Sequence, residues 1–160
     1  MVRSKVELAK FENKYYDDLQ EMLKEFTLEV FDNDLLFPDV TRFVGGHSAV
    51  FIVLVQNKAV GFISYQLDDY FGLREPTLSV NYVYLKEGYR RGRTTFALAL
   101  HQLEVAVINE LPLVHHYASD DSRAFFNRLD GKLLYNTYEF GLETIKSQYD
   151  LLTNKKNRRK

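Results

Sequence analysis

The stretch from Tyr82 to Glu104, "YVYLKEGYRRGRTTFALALHQLE", constrains the fold more than any other part of the chain. It joins the end of an apolar, strand-like run to a basic turn around Gly92, and a helical pattern follows from Thr94 to about Glu110. The strand-like segment "LPLVHHYAS" comes next. A strand, a helix and a strand in succession need a crossover connection, which pairs the two strands in parallel in one sheet. The stretch therefore predicts a parallel strand pair with a long helix between its members.

The segments before this stretch predict antiparallel strands and one amphipathic helix. Val6 to Phe11 is strand-like, and apolar residues from Tyr15 to Val30 recur at helical spacing, with Asn13 as the expected N-cap. The segment "DNDLLFPDVTRFVGG" is typical of a loop that is long enough to hold a short helix or to cover a site. Two β-branched and aromatic runs flank "QNKA" and predict a hairpin, and "EPTLSVNYVYL" predicts the next strand.

The segments after the stretch complete the expected sheet. They predict a short helix that ends at Gly131, one last strand over "KLLYNTYEFGLE", and an amphipathic tail helix that includes Ile145 and Tyr149. The expected fold class is therefore α+β, with a central sheet of mixed antiparallel and parallel strands and helices on both of its faces.

Composition limits the classes of protein and of site. The 160 residues are enough for one domain with a substantial core. The net charge of −1 argues against a surface that is entirely a nucleic-acid footprint, but it allows a local basic patch. Because the chain has no cysteine and only four histidines, we expect no disulfide, no thiol nucleophile and no metal. No apolar run approaches a membrane span and no secretory signal is visible, so we expect a cytoplasmic protein without membrane contact.

The basic turn itself has the chemistry of a phosphate site. A helix N-terminus offers backbone N–H groups and a partial positive charge, and Arg90, Arg91 and Arg93 would add forked donors. Gly92 lets the backbone approach a ligand closely. The spacing matches neither a P-loop nor a dinucleotide fingerprint. A solvated charge cluster and a nucleic-acid contact are the two alternatives.

The segment "VYLKEGYRRGRTTFALAL" resembles the cofactor motif of the GNAT superfamily of acyl-CoA-dependent N-acetyltransferases. In that family a strand leads to Tyr-Arg, then to Arg/Gln-x-x-Gly-x-Gly/Ala, then to a helix. Placing Tyr89 and Arg90 on the Tyr-Arg pair puts Arg93 and Thr95 at the two glycine positions, whereas a shift by one recovers Gly92. Arginine-rich turns of this kind resemble those of some bacteriophage members.

A second segment, "DSRAFFNRLDGKLL", resembles the family's Asn-x-x-Ala motif. Asp121 falls at the Asn and Ala124 at the Ala, and Phe126 falls where many members have a tyrosine that protonates the departing CoA thiolate. The order of strands and helices is also similar over most of the chain. The resemblance implies one GNAT-like acetyltransferase domain over residues 1–145 and a basic C-terminal tail over residues 146–160.

The resemblance also implies where acetyl-CoA would bind. The strand before the turn would offer backbone groups to the pantetheine, and the turn would hold the pyrophosphate. This strand would lie beside His115 to Tyr117 and splay apart from it near the turn. The expected cofactor-binding residues are Val83, Tyr84, Leu85, Arg90, Arg91, Gly92, Arg93, Thr94, Thr95, Asp121 and Phe126.

The departing thiolate needs a proton, which Phe126 cannot supply. A tyrosine on a neighbouring strand is the natural substitute, because its hydroxyl sits at the end of a rigid ring. Tyr117, Tyr84 and Tyr138 are the candidates, with Tyr117 favoured since it is nearest in sequence to the second motif.

Two function classes follow from these residues and from the resemblance. The leading hypothesis is an N-acetyltransferase that moves an acetyl group from acetyl-CoA to a primary amine, which could belong to a protein lysine, an N-terminus or a small molecule. The alternative is a catalytically decayed module of the same fold that contacts protein or nucleic acid, with the basic end "NKKNRRK" as one contact. The oligomeric state stays open, with a homodimer as one alternative.

Overall fold

The computed structural model describes residues 5–32, 39–68, 75–115, 126–128, 132–134 and 137–157. The chain divides into two compact units, and we describe each by itself. The first unit comprises Met1–Gln66 and Tyr82–Leu98, and the second comprises Leu67–Asn81 and Ala99–Lys160.

The described residues form seven strands and four main helices. The strands are β1 (Val6–Lys10), β2 (Ala49–Val55), β3 (Lys58–Asp68), β4 (Thr77–Leu85), β5 (Leu113–His115), β6 (Lys132–Leu134) and β7 (Thr137–Phe140). The helices are α1 (Tyr16–Phe31), α2 (Val40–Gly45), α3 (Arg93–Asn109) and α4 (Leu142–Asn157). Among the residues that the structure describes, no helix has the length and hydropathy that a bilayer span requires.

The strands form one mixed sheet in the order β1-β2-β3-β4-β5-β7-β6. β2 pairs antiparallel with both β1 and β3, and β7 pairs antiparallel with both β5 and β6. β4 and β5 are parallel, with Leu78, Ser79 and Val80 opposite Leu113, Val114 and His115. This confirms the mixed α+β sheet. It also confirms the parallel pair of strands, β4 and β5, which the long helix α3 connects along the chain.

Helices α1 and α2 cover one sheet face of the first unit. α1 buries the stripe Leu19, Met22 and Leu23, which recurs at helical spacing. Asp39 begins α2, because its carboxylate accepts hydrogen bonds from the backbone N–H groups of Thr41 and Arg42 at 2.8 and 3.3 Å. The core beneath the two helices consists of Leu19, Met22, Leu23, Val40, Phe43, Val50, Ile52, Leu54, Phe62 and Tyr84. The opposite face of these strands is buried as well, at Val53, Ile63 and Tyr65.

The hairpin that joins β2 and β3 also sets the register of β3. Gln56 and Asn57 have φ of 51° and 63°, and positive φ at both central residues is what a type I′ hairpin turn requires. The register shifts beyond Val53, so β3 carries Val60 as an extra residue. The Val60 carbonyl accepts a hydrogen bond from the backbone N–H of Lys86 at 2.8 Å, which ties the bulge to the residue that follows β4.

The second unit has its own buried contacts. The His115 ring lies 4.5 Å from the Phe126 ring, which lies 5.8 Å from the Phe140 ring. A hydrogen bond joins the Nε2 atom of His115 to the side chain of Gln102 on α3. His115 is therefore a hydrogen-bonded core residue.

Two details differ from the sequence-based expectation. Asn13 is not the N-cap of α1, because Asn13–Tyr15 forms a separate 3₁₀ turn that closes with a bond from the Tyr15 N–H to the Glu12 carbonyl. "KLLYNTYEFGLE" is not one strand but the antiparallel pair β6 and β7, since the chain reverses without a Gly or Pro signal. The expected tail helix through Ile145 and Tyr149 is present as α4, which runs from Leu142 to Asn157. Gly131 lies outside the described residues.

Candidate functional site

The second half of β4 presents two tyrosines to the side covered by α1. The Tyr82 ring contacts the Phe26 ring of α1 at 5.6 Å, and the Tyr84 ring contacts it at 6.1 Å. Since neighbouring side chains of a strand point to opposite faces, Val83 and Leu85 point away from α1. The predicted pantetheine-binding residues thus divide between the two faces of the sheet, and only their backbone groups line the strand edge.

The basic turn follows β4 in the same unit. Glu87–Tyr89 forms a 3₁₀ turn, Gly92 has a φ of 71°, and α3 begins at Arg93. Only from Phe96 onward do backbone N–H groups find carbonyl partners in the helix, the first bond being to the Gly92 carbonyl at 3.1 Å. The space around Gly92 is open, because a side chain carbon built there would meet no atom within 4 Å.

Arg91 and Arg93 extend from this turn into solvent. No ion pair joins either guanidinium to a residue within the described part of the chain. Thr94 is buried, and the Thr95 hydroxyl donates to the Arg90 carbonyl at 2.9 Å. The turn thus combines two exposed cations with the N–H groups of a helix start, which is the chemistry that anions favour.

Arg90 is placed differently from its two neighbours. Its Nε donates to the Leu85 carbonyl at 2.8 Å, and its guanidinium forms an ion pair with Glu29 of α1. The guanidinium also lies 5.7 Å from the centre of the Tyr84 ring. The hydrogen bond with Glu29 raises the pKa of Arg90, so this contact holds a charged pair. Arg90 therefore fastens the turn to α1, whereas Arg91 and Arg93 stay exposed to solvent.

A groove lies between α1 and the exit of β4, with a volume of about 600 Å³. The Tyr84 hydroxyl donates to Glu25 at 2.9 Å, and Lys86 pairs with Glu21 at 3.1 Å. Burial, followed by the hydrogen bond to Glu25, raises the pKa of Tyr84 to about 12. The groove is lined by Glu25, Leu28, Glu29, Tyr84, Lys86, Glu87 and Arg90.

This environment bears on the proton donor. A thiol has an ordinary pKa of about 8.5, so a phenol with a pKa near 12 gives its proton to a thiolate only uphill. The surroundings of Tyr84 thus oppose the role of acid. Its bond to Glu25 instead fastens β4 to α1.

The remaining candidates lie elsewhere or beyond the described residues. Phe126 and Tyr138 belong to the second unit, where Phe126 is buried and Tyr138 occupies the β7 position opposite His115. Tyr117 and Asp121 lie outside the described residues. The register sets Val80, and not Val83, opposite His115, and a splaying of the two strands stays a prediction because it concerns residues after His115.

Three contributors to this region escaped the sequence reasoning. Glu25 and Glu29 are one helical turn apart on α1, a spacing that signals a shared face but names no partner. His47 follows the pair Gly45-Gly46 and contacts the Tyr82 ring at 5.7 Å. No periodicity marks it, because it lies in a connection between α2 and β2.

Removal of the Tyr84 hydroxyl should give a pH-dependent loss of stability. The pKa near 12 in the folded chain exceeds the value of about 10 of an exposed tyrosine, so the bond to Glu25 stabilises fully below pH 10 and is lost as the pH approaches 12. We expect Tyr84→Phe to lower the unfolding free energy by about 1 kcal/mol at pH 8, since partial exposure weakens a charged hydrogen bond. Urea unfolding of parent and variant at pH 8, 10 and 12 measures the difference between their unfolding free energies, which should shrink as the pH rises. Tyr82→Phe, on the same face, is the control, and a difference constant with pH would contradict this account.

Comparison with solved structures identifies similar folds. The crystal structure of a GNAT-family acetyltransferase from Staphylococcus aureus Mu50 matches with a TM-score of 0.66 and 12% identity, over 86% of this chain and 99% of the other. The structure of AtaTR bound with acetyl-CoA matches with a TM-score of 0.65 and 13% identity, over 90% and 98%. The KacTA–DNA complex matches with a TM-score of 0.67 and 13% identity, over 91% and 99%. No family model and no curated protein matches the sequence.

Proposed function

We propose that this chain, which has the fold of the GNAT-family acetyltransferases, moves an acetyl group from acetyl-CoA to a primary amine. The observation that carries the proposal is the turn between β4 and α3. It presents open space at Gly92, helix N–H groups, and the exposed cations Arg91 and Arg93. A pyrophosphate satisfies all three features, because it is anionic and takes several hydrogen bonds at once.

In this proposal the turn anchors the cofactor and β4 aligns it. The backbone of Val83 to Leu85 bonds the pantetheine, which extends along the strand from the turn. The neutral amine then attacks the thioester carbonyl, so a C–N bond forms, the C–S bond breaks, the nitrogen loses a proton and the thiolate gains one. Holding the two reactants in line supplies much of the rate, and a base and an acid supply the rest.

The similar structures support the choice of cofactor. AtaTR, whose fold matches this chain over 90% of its length, is bound with acetyl-CoA. The acceptor within the class of primary amines, whether a protein lysine, an N-terminus or a small amine, remains part of the proposal. So do Tyr117, Tyr138 and, against its raised pKa, Tyr84 as candidates for the proton donor, and Asp121 and Phe126 as cofactor contacts.

A second candidate function is a binding module without catalysis. Phe126 favours it, because a phenylalanine packed between His115 and Phe140 offers no proton at the position of the family's tyrosine. The partner in that case would be protein or nucleic acid, and the KacTA–DNA complex gives one precedent of a similar fold in a DNA assembly.

Two measurements on the whole chain separate the candidates. Calorimetric titration with acetyl-CoA should give a dissociation constant in the micromolar range, about −8 kcal/mol, if the turn holds the pyrophosphate. Mass spectrometry should then detect a mass gain of one acetyl group on a lysine peptide, a peptide N-terminus or a small diamine. Cofactor binding without any acetylated product favours the binding module, and absence of both refutes a cofactor site at the turn.

A further inference from the structure

Four aromatic rings of the first unit meet beside the middle of β4, and we call this group the aromatic recess: Phe26, Phe43, His47 and Tyr82. The Phe43 and His47 rings are 4.5 Å apart, and Tyr82 lies 6.0 Å from Phe43 and 5.7 Å from His47. Tyr82 is 37% exposed, whereas Phe43 is 7% exposed. The recess therefore opens to solvent at Tyr82, on the sheet face that α1 and α2 otherwise cover.

The hydrogen bond of His47 determines which ring nitrogen is basic. Its Nδ1 lies 2.6 Å from the Phe43 carbonyl oxygen. A carbonyl oxygen only accepts, so Nδ1 carries the hydrogen and the neutral ring has its lone pair on Nε2. No hydrogen bond joins Nε2 to any residue in the described ranges. The fold thus favours the tautomer with its hydrogen on Nδ1, and this tautomer can accept a proton at Nε2.

The backbone around the recess is held on both sides of His47. The His47 N–H donates to the Val44 carbonyl at 3.3 Å, and the Ser48 N–H donates to the Tyr65 carbonyl at 2.9 Å. The Tyr82 N–H donates to the Ser64 hydroxyl at 3.2 Å. The Gly46 N–H donates to the Arg42 carbonyl at 3.0 Å, so backbone hydrogen bonds hold the residues on both sides of His47. The imidazole is therefore pre-oriented, as a proton acceptor in a transition state needs to be.

We propose that the aromatic recess is the acceptor site and that Nε2 of His47 is the general base that takes the proton from the attacking amine. This inference rests on the proposed function. Tyr82 precedes Val83, at which the proposed cofactor path along β4 begins, so an amine over Tyr82 lies one residue from that path. The proton passes from the nitrogen to Nε2 as the C–N bond forms, and the resulting imidazolium returns it to solvent.

The same geometry names the acceptor class. The exposed face of Tyr82 attracts an aliphatic ammonium group by cation–π interaction, and the apolar rings around it favour a hydrocarbon stem over a charged one. Within the described ranges, the rings in contact with His47 are those of Tyr82, which is titratable, and of Phe43 on α2. The acceptor expected here is an unbranched aliphatic primary amine, as on a lysine side chain or a linear diamine.

The test compares His47→Asn with the parent. Asparagine keeps an N–H donor close to the position of Nδ1, so the bond to the Phe43 carbonyl is retained while the base is removed. We expect kcat/KM for a lysine peptide to fall about a hundredfold to ten-thousandfold, with the acetyl-CoA dissociation constant within about twofold of the parent. The acid limb of the pH profile of kcat/KM should disappear, and added imidazole should restore part of the rate in His47→Gly.

One further variant tests the wall of the recess. Tyr82→Ala removes the ring that would hold the ammonium group, so it should raise KM for aliphatic amines about tenfold and lower kcat less than that. His47→Asn with parent kcat/KM and an unchanged acid limb overturns the base assignment while leaving the acetyltransferase intact. A parent that binds acetyl-CoA but acetylates no amine of the panel overturns both the acceptor site and its base. A parent that does not bind acetyl-CoA overturns the proposed function itself, and this inference with it.

Discussion

Replacing Arg91 and Arg93 together with alanine is expected to weaken CoA binding about a hundredfold to ten-thousandfold. Each exposed guanidinium can make a charged hydrogen bond to the pyrophosphate, and each such bond contributes about 1.5–3 kcal/mol. Two of them add to about 3–6 kcal/mol, with the lower end expected because both side chains are exposed to solvent. Isothermal calorimetry with CoA at fixed salt concentration measures the change directly.

Two controls make this result specific. The variant Lys10→Ala/Arg42→Ala removes the same charge from exposed positions on β1 and α2, and its CoA affinity should stay within about twofold of the parent. Pantetheine lacks the pyrophosphate, so its weaker binding should be the same in parent and variant. Unchanged CoA affinity in Arg91→Ala/Arg93→Ala would remove the turn from the cofactor site.

Substitution of Gly61 by alanine is expected to cost about 2–4 kcal/mol of unfolding free energy. A Cβ atom at this position would lie 2.3 Å from the Tyr84 carbonyl oxygen and 2.6 Å from Cδ2 of Leu85. The first of these atoms belongs to the backbone, so β3 and β4 have to move apart and strain their hydrogen bonds. Urea unfolding monitored by circular dichroism and by tyrosine fluorescence gives the loss, and agreement of the two probes tests two-state behaviour.

Gly88→Ala is the matched control for this substitution. Nothing lies within 4 Å of a Cβ built at Gly88, so we expect a change within about 0.5 kcal/mol there. A loss below about 1 kcal/mol in Gly61→Ala would mean that β3 and β4 approach each other less closely than the structure has them.

Much of the fold follows from local patterns. The hairpin at Gln56 and Asn57 was predictable because turn chemistry and two flanking β-branched runs are adjacent in sequence. The parallel pairing of β4 with β5 followed from the strand, helix, strand order, since few other connections are sterically allowed. The antiparallel pair β6 and β7 was missed, because no Gly, Pro or Asp separates its two halves.

The site was predictable only where its parts are neighbours in sequence. The turn with Gly92, Arg91 and Arg93 could be located from the motif alone. The ion pair between Arg90 and Glu29 could not be predicted, because the two residues are 61 positions apart and nothing local distinguishes Arg90 from the other arginines of the turn. His47 became a candidate only through its contacts with Phe43 and Tyr82, which depend on tertiary packing.

The bracing of the turn by α1 has a consequence for how this chain could diverge in sequence. The Arg90 side chain forms an ion pair with Glu29 and donates to the Leu85 carbonyl, and both contacts stabilise the turn. The turn therefore depends less on glycines of its own. Among the described residues of the turn only Gly92 has a positive φ, and Arg93 and Thr95 have helical backbone. A residue of α1, Glu29, thus helps to stabilise a turn whose Arg90 lies 61 positions later in the chain. Sequence change within the turn can therefore leave its shape intact as long as Glu29 and Arg90 keep their ion pair.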